Sequence, residues 1–266
     1  MKDIKNLCMG CMEELKNGDD ICSKCGERRG AAQETPFLPK KTIIGSRYAV
    51  GTGLEINGEG LSYIGYDTAK EIKVYIREFF PSGICTRGED FTSVRVSPYK
   101  STLFDKQLSK FLKYFRAAAR LRNIPALSAI YDIFNQNGTA YVIIEWIEGR
   151  KLDKFLGDKS GIIPWDEARG MFLPLASALG NMHEAGVLHL GISPSNILVE
   201  EDGSLRLSGF ATKDLRKLDS PIEAQLYDGF SALEQYIEIY DTDQSTDVYG
   251  FTACLFLALT GEPPLN

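Results

Sequence analysis

The chain has 266 residues, of which 44% are hydrophobic and 25% charged, with 25 Gly, 11 Pro and a formal net charge of -6. This composition predicts a globular protein with a hydrophobic core, and it excludes a collagen, a coiled coil and a wholly disordered chain. The negative net charge argues against a nucleic-acid binder, because phosphate binding needs a basic surface.

The N-terminal residues lack the apolar stretch of a signal peptide, which favours a cytoplasmic protein. The longest apolar run, residues 248–259, is shorter than the about 20 residues that a membrane span needs. We therefore expect no membrane span in this chain and a buried helix over 248–259.

Four of the six cysteines lie in the first 25 residues, as two C-x2-C pairs: Cys8 with Cys11, and Cys22 with Cys25. Two such pairs complete a tetrahedron of thiolates around zinc, and four thiolates leave no position for water. The spacing thus predicts a structural zinc ribbon over 1–30, in preference to free or disulfide-bonded cysteines. The ribbon has equal numbers of acidic and basic residues, so we expect a protein contact or a spacer role.

The rest of the chain reads as a linker, then strands, then helices. Residues 31–45 contain two prolines and predict a semi-stiff linker. Strands are predicted at 47–50, 61–66 and 72–79, a helix around 108–115, a hairpin at 135–138, a helix at 165–184, and a β-rich interruption at 187–207. Strands followed by helices predict an α+β fold.

Seven motifs carry a family resemblance through their order and spacing. They are Gly58-Glu-Gly60-Leu-Ser-Tyr63, Lys73-Val-Tyr75-Ile-Arg77-Glu-Phe-Phe-Pro81, Ala140-Tyr-Val-Ile-Ile144-Glu145, His189-Leu-Gly191-Ile-Ser-Pro-Ser-Asn196, Leu205-Arg-Leu-Ser208-Gly-Phe, Phe230-Ser-Ala-Leu-Glu234 and Thr246-Asp247-Val-Tyr-Gly250. Residues 48–264 thus resemble a bacterial serine/threonine protein kinase domain. With the ribbon, the chain resembles the zinc-ribbon kinases of Gram-positive bacteria.

The resemblance implies a protein-kinase-like bilobal fold, with a β-rich N-lobe over 46–147 and a helical C-lobe over 148–266. Kinase domains continue past the helix that contains Asp247, so we expect the C-lobe to be C-terminally truncated. The chain is then either a fragment of a longer protein, which we favour, or has its last helix covered by another molecule.

The family's nucleotide-binding positions are altered in this sequence. Only Gly60, with Gly58 beside it, remains of the glycine-rich loop, and acidic Glu55 and Glu59 flank the place of the phosphates. The V-A-I-K strand carries Tyr75, a phenol in the space of adenine, and Arg77 in place of the lysine. The gatekeeper and hinge positions match Ile144 and Glu145.

The lysine's usual partner, a glutamate on the following helix, corresponds to Tyr114. We predict that Arg77 contacts the Tyr114 ring through a cation–π interaction. The alternative, in which Tyr114 packs and Arg77 points to solvent, stays open.

The catalytic positions are also altered. Gly191 replaces the aspartate that orients the acceptor hydroxyl, and Ser208 replaces the principal magnesium ligand, while Asn196 is retained. His189 is expected to be structural. The degenerate nucleotide pocket would comprise Gly58, Gly60, Tyr75, Arg77, Tyr114, Ile144, Glu145, Gly191, Asn196 and Ser208, and we expect it to bind neither ATP nor magnesium.

Loss of chemistry with retention of scaffold residues such as Glu234 and Asp247 is typical of a pseudokinase. We therefore expect a non-catalytic regulatory or scaffolding module with a structural zinc ribbon. Its partner would be a protein, either an active kinase or another signalling protein, and not a nucleic acid. The alternative is a weakly active or atypical ATP-dependent serine/threonine kinase or nucleotidyl transferase.

Overall fold

A computed structural model of the chain describes residues 4–16, 18–159 and 161–264. The chain forms two compact units. The first comprises the residues up to Leu112 together with Tyr131–Trp146, and the second comprises Lys113–Ile130 together with the residues from Ile147 onwards. The first unit is rich in strands and the second holds most of the helices, which confirms the α+β prediction.

The regular elements follow the predicted order. The strands are β1 (Ile43–Ile44), β2 (Tyr48–Asn57), β3 (Gly60–Asp67), β4 (Ile72–Phe79), β5 (Cys85–Arg87), β6 (Val94–Val96), β7 (Ile130–Gln136), β8 (Thr139–Glu145), β9 (Arg150–Lys151), β10 (Ile197–Val199) and β11 (Leu205–Leu207). The helices are α1 (Ser101–Ala118), α2 (Leu152–Asp158), α3 (Trp165–Glu184) and α4 (Gln244–Thr260). The predicted strands, the hairpin and the long helices are therefore confirmed.

The core of the first unit is a six-stranded sheet in the order β1-β2-β3-β4-β8-β7. Every residue of β3 is buried, because this strand has a hydrogen-bonded neighbour on each side. Antiparallel register pairs Ser62 with Arg77 and Ile64 with Tyr75, and then Tyr75 with Ile144. Paired residues point to the same face, so Ile64, Tyr75 and Ile144 share one face of the sheet.

The cysteine-rich ribbon packs on β2 and β3 within the same unit. Leu7, Met9 and Met12 form an apolar cluster with three sheet residues, Ala49, Ile64 and Tyr66. The backbone N–H of Thr52 donates to the Met9 carbonyl at 2.8 Å. Lys73 forms an ion pair with Glu13 at 2.8 Å. The ribbon is thus docked on the sheet by apolar packing and two polar contacts.

In the second unit, α3 packs against α4, where the Phe172 and Phe251 ring centroids are 5.7 Å apart. Asp243 caps the N-terminus of α4, and Gly261 ends the helix in the left-handed conformation. The prediction of a fully buried helix is wrong on one face, because Val248 and Phe256 are 53% and 45% exposed. Among the described residues no helix is both long and apolar enough to cross a membrane.

Candidate functional site

The structure brings the four predicted cysteine ligands together. Their Sγ atoms lie within 4.8 Å of one another. The Sγ atoms of Cys8 and Cys25 are 3.5 Å apart, and those of Cys11 and Cys22 are 3.7 Å apart. These distances exceed the about 2.05 Å of a disulfide and approach the about 3.8 Å between thiolates that surround a zinc ion tetrahedrally. The cluster therefore fits a tetrahedral metal ion.

The turn between β2 and β3 occupies the position of the family's glycine-rich loop. The Asn57 side-chain oxygen accepts hydrogen bonds from the backbone N–H groups of Glu59 and Gly60, at 3.1 Å each. Gly58 is buried in the same turn. Two of the amides in the loop thus donate to a side chain of the loop itself, so they are engaged without a phosphate.

Arg77, the substitute for the family's lysine, is paired inside the first unit. Its guanidinium donates to a Glu59 carboxylate oxygen at 2.8 Å. Both side chains are buried, so the alternative in which Arg77 points to solvent is wrong. In an apolar surrounding this charge-assisted hydrogen bond is strong and short. A loop carboxylate therefore neutralises Arg77, the cation at the position that the resemblance aligns with a phosphate-binding lysine.

The other predicted residues of the first unit line one end of the sheet. The Tyr75 side chain is half-buried next to Ile144, and Glu145 is the last residue of β8, paired with Val74. Tyr114 belongs to the second unit, where its hydroxyl donates to the Leu188 carbonyl at 3.0 Å. The cation–π contact between Tyr114 and Arg77 stays a prediction.

Arg216 fills the space beside Gly191, the position that the resemblance aligns with a catalytic aspartate. A Cβ atom at Gly191 would lie 2.6 Å from the Arg216 Cζ and Nε atoms. The Arg216 side chain is among the largest fully buried ones of the chain, with the residue 1% exposed. The sequence therefore needs glycine at position 191 because a guanidinium packs directly on the backbone there.

Arg216 is held by neutral acceptors. It donates to the Gly209 carbonyl at 2.8 Å, the Tyr227 hydroxyl at 3.0 Å and the Gln225 carbonyl at 3.1 Å. Its Cζ atom also lies 5.2 Å from the centroid of the Tyr227 ring, within cation–π range. These contacts leave the positive charge in place, because none of the three acceptors carries a negative charge.

Asn196, which the resemblance aligns with a metal-binding asparagine, also packs beside Gly191. Its amide nitrogen donates to the Gly191 carbonyl at 2.8 Å and to the Tyr227 hydroxyl at 2.9 Å. A Cβ atom at Gly209 would lie 2.4 Å from the Asn196 side-chain oxygen. Asn196 thus fills the space beside residues 191 and 209 and supports the packing of Arg216 and Tyr227.

Ser208 and His189 are structural in this arrangement. The Ser208 hydroxyl donates to the Asn196 carbonyl at 3.0 Å, and the His189 Nε2 atom is 2.8 Å from the Ser208 carbonyl oxygen. His189 is fully buried, and loss of hydration lowers its pKa to about 4. The backbone N–H groups of His189 and Leu190 donate to Asp247 at 2.8 and 2.6 Å. Asp247 therefore anchors the loop that carries position 191.

Comparisons with known proteins agree with this architecture. The family model of the protein kinase domain matches residues 96–266. A probable serine/threonine-protein kinase of Clostridium perfringens is 27% identical over 187 residues, 68% of this chain and 27% of that protein. Serine/threonine-protein kinase PknL of Mycobacterium tuberculosis is 27% identical over 230 residues, 85% of this chain and 52% of PknL. The apo form of PpkA-294 matches with a TM-score of 0.69 and 25% identity, covering 86% of this chain and 80% of that chain.

The chain belongs to the protein kinase domain family, since the matched residues make up more than half of its length. Its β-rich unit and its helical unit correspond to the N-lobe and the C-lobe of the kinase-like fold. The chain spans between about a quarter and a half of the length of these two curated relatives.

Sequence reasoning missed Arg216 and Tyr227, and it missed the partner of Arg77. The motifs identify position 191 as altered. Arg216, which fills the space beside it, lies 25 positions later, and no repeat in the sequence connects the two positions. Glu59 was noticed as a negative charge in the loop. Its pairing with Arg77 does not follow from strand register, because β3 places Ser62 opposite Arg77 and Glu59 lies in the turn before β3.

Proposed function

We propose that this chain is a pseudokinase that acts as a non-catalytic regulatory or scaffolding module. The observation that carries the proposal is the buried Arg216 guanidinium packed on Gly191. A general base must accept a proton, whereas a guanidinium has only donors and keeps its charge. The position that needs a carboxylate thus holds a fixed cation, so the acceptor hydroxyl has no base there.

The N-lobe supports the same conclusion through Glu59. Phosphoryl transfer depends on positioning a triphosphate and on neutralising its charge. In this chain the Arg77 charge already has a carboxylate partner, and the loop amides of Glu59 and Gly60 already donate to Asn57. A triphosphate would have to displace Glu59, and the two negative groups would repel each other.

The four-cysteine cluster supports a structural zinc site. Four thiolates at tetrahedral spacing complete the coordination of zinc and leave no position for a substrate or water. The ribbon has a small core of its own, in which Leu15 packs with Cys8 and Cys22. Metal binding therefore supplies much of its folding free energy. The relatives are serine/threonine kinases, and we propose that the partner is such a kinase or another signalling protein.

A thermal-shift titration with ATP, in the presence and absence of magnesium, tests the absence of nucleotide binding. A ligand present at 100 times its Kd stabilises a protein by about 2.7 kcal/mol, which raises Tm by several degrees. We expect 5 mM ATP to leave Tm unchanged, both with magnesium and without it. A magnesium-dependent rise would contradict the proposal. Phosphoryl transfer that Arg77→Ala abolishes would establish the enzymatic alternative instead.

Glu59→Gln provides a matched control for the titration. This change removes the carboxylate charge but keeps the shape of the side chain, so it tests whether Glu59 blocks anion binding next to Arg77. We expect the variant to gain a small, magnesium-independent rise in Tm with ATP, because a buried guanidinium that has lost the Glu59 carboxylate attracts phosphate. Equal titrations for the variant and the original chain would show that Glu59 does not block the site.

A further inference from the structure

A cavity of about 450 Å³ lies within the first unit, between the ribbon, the linker and the turn between β5 and β6. We call it the ribbon–linker cavity. Its volume is within the range of small-molecule sites in proteins. Leu7 and Leu15 of the ribbon, together with Phe37 and Pro39 of the linker, give it an apolar wall. Neither the metal cluster nor the kinase-like motifs account for this cavity.

Phe91 stands at the edge of the cavity with its side chain 57% exposed. Its φ angle is +58°, a left-handed conformation that an aromatic residue adopts at an energetic cost. A tight turn holds it there: the Phe91 N–H donates to the Gly88 carbonyl at 3.0 Å, and Asp90 accepts from the N–H of Ser93 at 2.8 Å. The turn thus holds an exposed apolar ring at the edge of the cavity.

Basic side chains surround the cavity. Its lining includes Arg28, Arg29, Lys40 and Lys41 but only one carboxylate, Glu27, which forms an ion pair with Lys40. Arg29 donates to the Asp19 backbone carbonyl at 3.1 Å, a neutral acceptor. Within the described part of the chain, no carboxylate lies within ion-pair distance of Arg28 or Lys41, which are both exposed. The Arg, Lys and Glu side chains of the lining therefore carry a net positive charge, in a chain whose net charge is negative.

We infer that the ribbon–linker cavity binds an apolar small molecule that carries an anionic group, either a carboxylate or a phosphate. The apolar body would lie between the Phe91 ring and the wall formed by Leu7 and Phe37. The anionic group would face Arg28 and Lys41, where charge-assisted hydrogen bonds are available. An apolar lining with a few placed charges is the usual composition of a small-molecule site.

The cavity adjoins two features that would respond to such a ligand. Cys8, one of the four clustered cysteines, contributes to its lining. Gln33 also lines it, and the Gln33 side chain accepts from the Gly53 N–H at 2.8 Å and donates to the Gly51 carbonyl at 3.1 Å. Both glycines belong to β2. A bound ligand would thus contact the ribbon and a residue that is hydrogen-bonded to the sheet.

Isothermal titration calorimetry on the full chain, with its metal content measured, tests this inference. The probes are 2-naphthoate, 2-naphthyl phosphate and the neutral 2-naphthylmethanol, which share one ring system. We expect saturable one-to-one binding of at least one anion, at least about tenfold tighter than the alcohol, since charged hydrogen bonds contribute about 1.5–3 kcal/mol. The anion that binds more tightly shows whether the site prefers a carboxylate or a phosphate group.

Variants separate the two parts of the proposed site. Arg28→Ala combined with Lys41→Ala should weaken binding of the anions about tenfold or more without affecting the alcohol. Phe91→Ala should weaken all three probes about twofold to tenfold, through loss of the aromatic contact. Arg122→Ala and Tyr99→Ala are matched controls at exposed positions outside the cavity and should leave every Kd unchanged.

Three outcomes would overturn the inference. They are no saturable heat with either anion at millimolar concentration, equal affinity for the alcohol and the anions, and Kd values unchanged by the cavity variants. Unchanged metal content in each variant verifies that the ribbon remains folded, so that a loss of binding is assigned to the removed side chain. The calorimetric test does not involve ATP, so the cavity proposal can fail while the pseudokinase proposal holds.

Discussion

Gly191 stands at the position where the resemblance to kinases leads us to expect a catalytic aspartate. Gly191 does not have a positive φ angle, so its role is space for Arg216 and not backbone freedom. We predict that Gly191→Ala lowers the free energy of unfolding by about 1–3 kcal/mol, the usual cost of overpacking a close-packed interior. Urea denaturation of the purified variant measures this change.

A double-mutant cycle with Arg216→Ala identifies the cause of that loss. If Arg216 provides the steric conflict, the loss of unfolding free energy caused by Gly191→Ala is smaller by at least about 1 kcal/mol in the Arg216→Ala background. The reason is that directly contacting residues are coupled. An additive cycle would assign the loss to the backbone of the loop instead. The same geometry predicts that Gly191→Asp alone does not restore a catalytic base, since its carboxylate would meet the guanidinium.

His189 should make stability dependent on pH. Burial lowers its pKa to about 4 in the folded chain, against about 6.5 in the unfolded chain. Between these pH values the unfolded chain therefore binds more protons than the folded chain. The stabilisation that neutral His189 gives the folded chain is complete above pH 6.5 and is lost as the pH falls towards 4. We predict that about 2 kcal/mol is lost between pH 7.5 and 4.5.

The His189→Gln variant separates this effect from the titration of other groups. Urea denaturation at both pH values gives the loss of stability for the original chain and for the variant. The variant should be less stable at pH 7.5 but lose about 2 kcal/mol less on acidification. Equal losses in both chains would mean that His189 is not the group responsible.

At the level of elements, local patterns predicted most of the fold. The predicted helix over 165–184 coincides with α3, whose buried residues recur at helical spacing. The exposed face of α4 was anticipated only through the resemblance, which implied that further helices or another molecule would cover it. The composition of α4 is apolar all round, so the sequence indicates burial on every side, whereas the described chain supplies a packing partner on only one side.

Strand β2 illustrates a second limit of sequence patterns. Its two inner glycines, Gly51 and Gly53, are residues that usually weaken a strand. In the structure they provide space for other parts of the chain: a Cβ atom at Gly51 would lie 2.1 Å from Met12 and one at Gly53 would lie 2.4 Å from Phe37. Contacts with a separately folded segment leave no periodic pattern, so this use of glycine was not predictable.

This geometry predicts that Gly51→Ala undocks the ribbon from the sheet. The added methyl group would meet Met12 and, at 2.5 Å, the Met9 carbonyl, which already accepts from Thr52. Hydrogen exchange followed by mass spectrometry should show faster exchange at Thr52 and in β3, with metal content unchanged. Gly180→Ala in α3 is the matched control: no atom lies within 4 Å of the new Cβ, and a gain of about 0.5–1 kcal/mol is expected. Unaltered exchange in β2 and β3 would contradict the prediction.

At the scale of the whole molecule, composition predicted a mildly acidic globular chain and nothing of its charge distribution. Four basic side chains gather at the ribbon–linker cavity, although residues 1–30 carry no net charge before the thiolates are counted. The arrangement arises because Arg28 and Arg29 of the ribbon approach Lys40 and Lys41 of the linker only after both segments fold. The metal cluster was predictable from spacing, because all four ligands lie in one short segment.

The division into two units gives a last prediction, for metal removal. The ribbon covers Ala49, Ile64 and Tyr66 of the first unit. Its own fold depends, in our proposal, on a metal ion held by the cysteine cluster. Treatment with a strong zinc chelator should therefore unfold the ribbon and expose these residues. The first unit would then lose about 25 cal/mol of stabilising free energy for each Å² of apolar surface exposed. The second unit contains no ligand of the cluster and should keep its stability.

Hydrogen exchange with mass spectrometry before and after chelation measures both units in one experiment. Peptides from β2 and β3 should exchange faster, while peptides from α3 and α4 should be unaffected, and zinc should restore the original rates. Cys25→Ala should reproduce the effect of the chelator, whereas Cys254→Ala, which removes a buried thiol outside the cluster, should not. Faster exchange confined to the ribbon would mean that the sheet does not depend on its cover, and the proposed link between metal and N-lobe would be wrong.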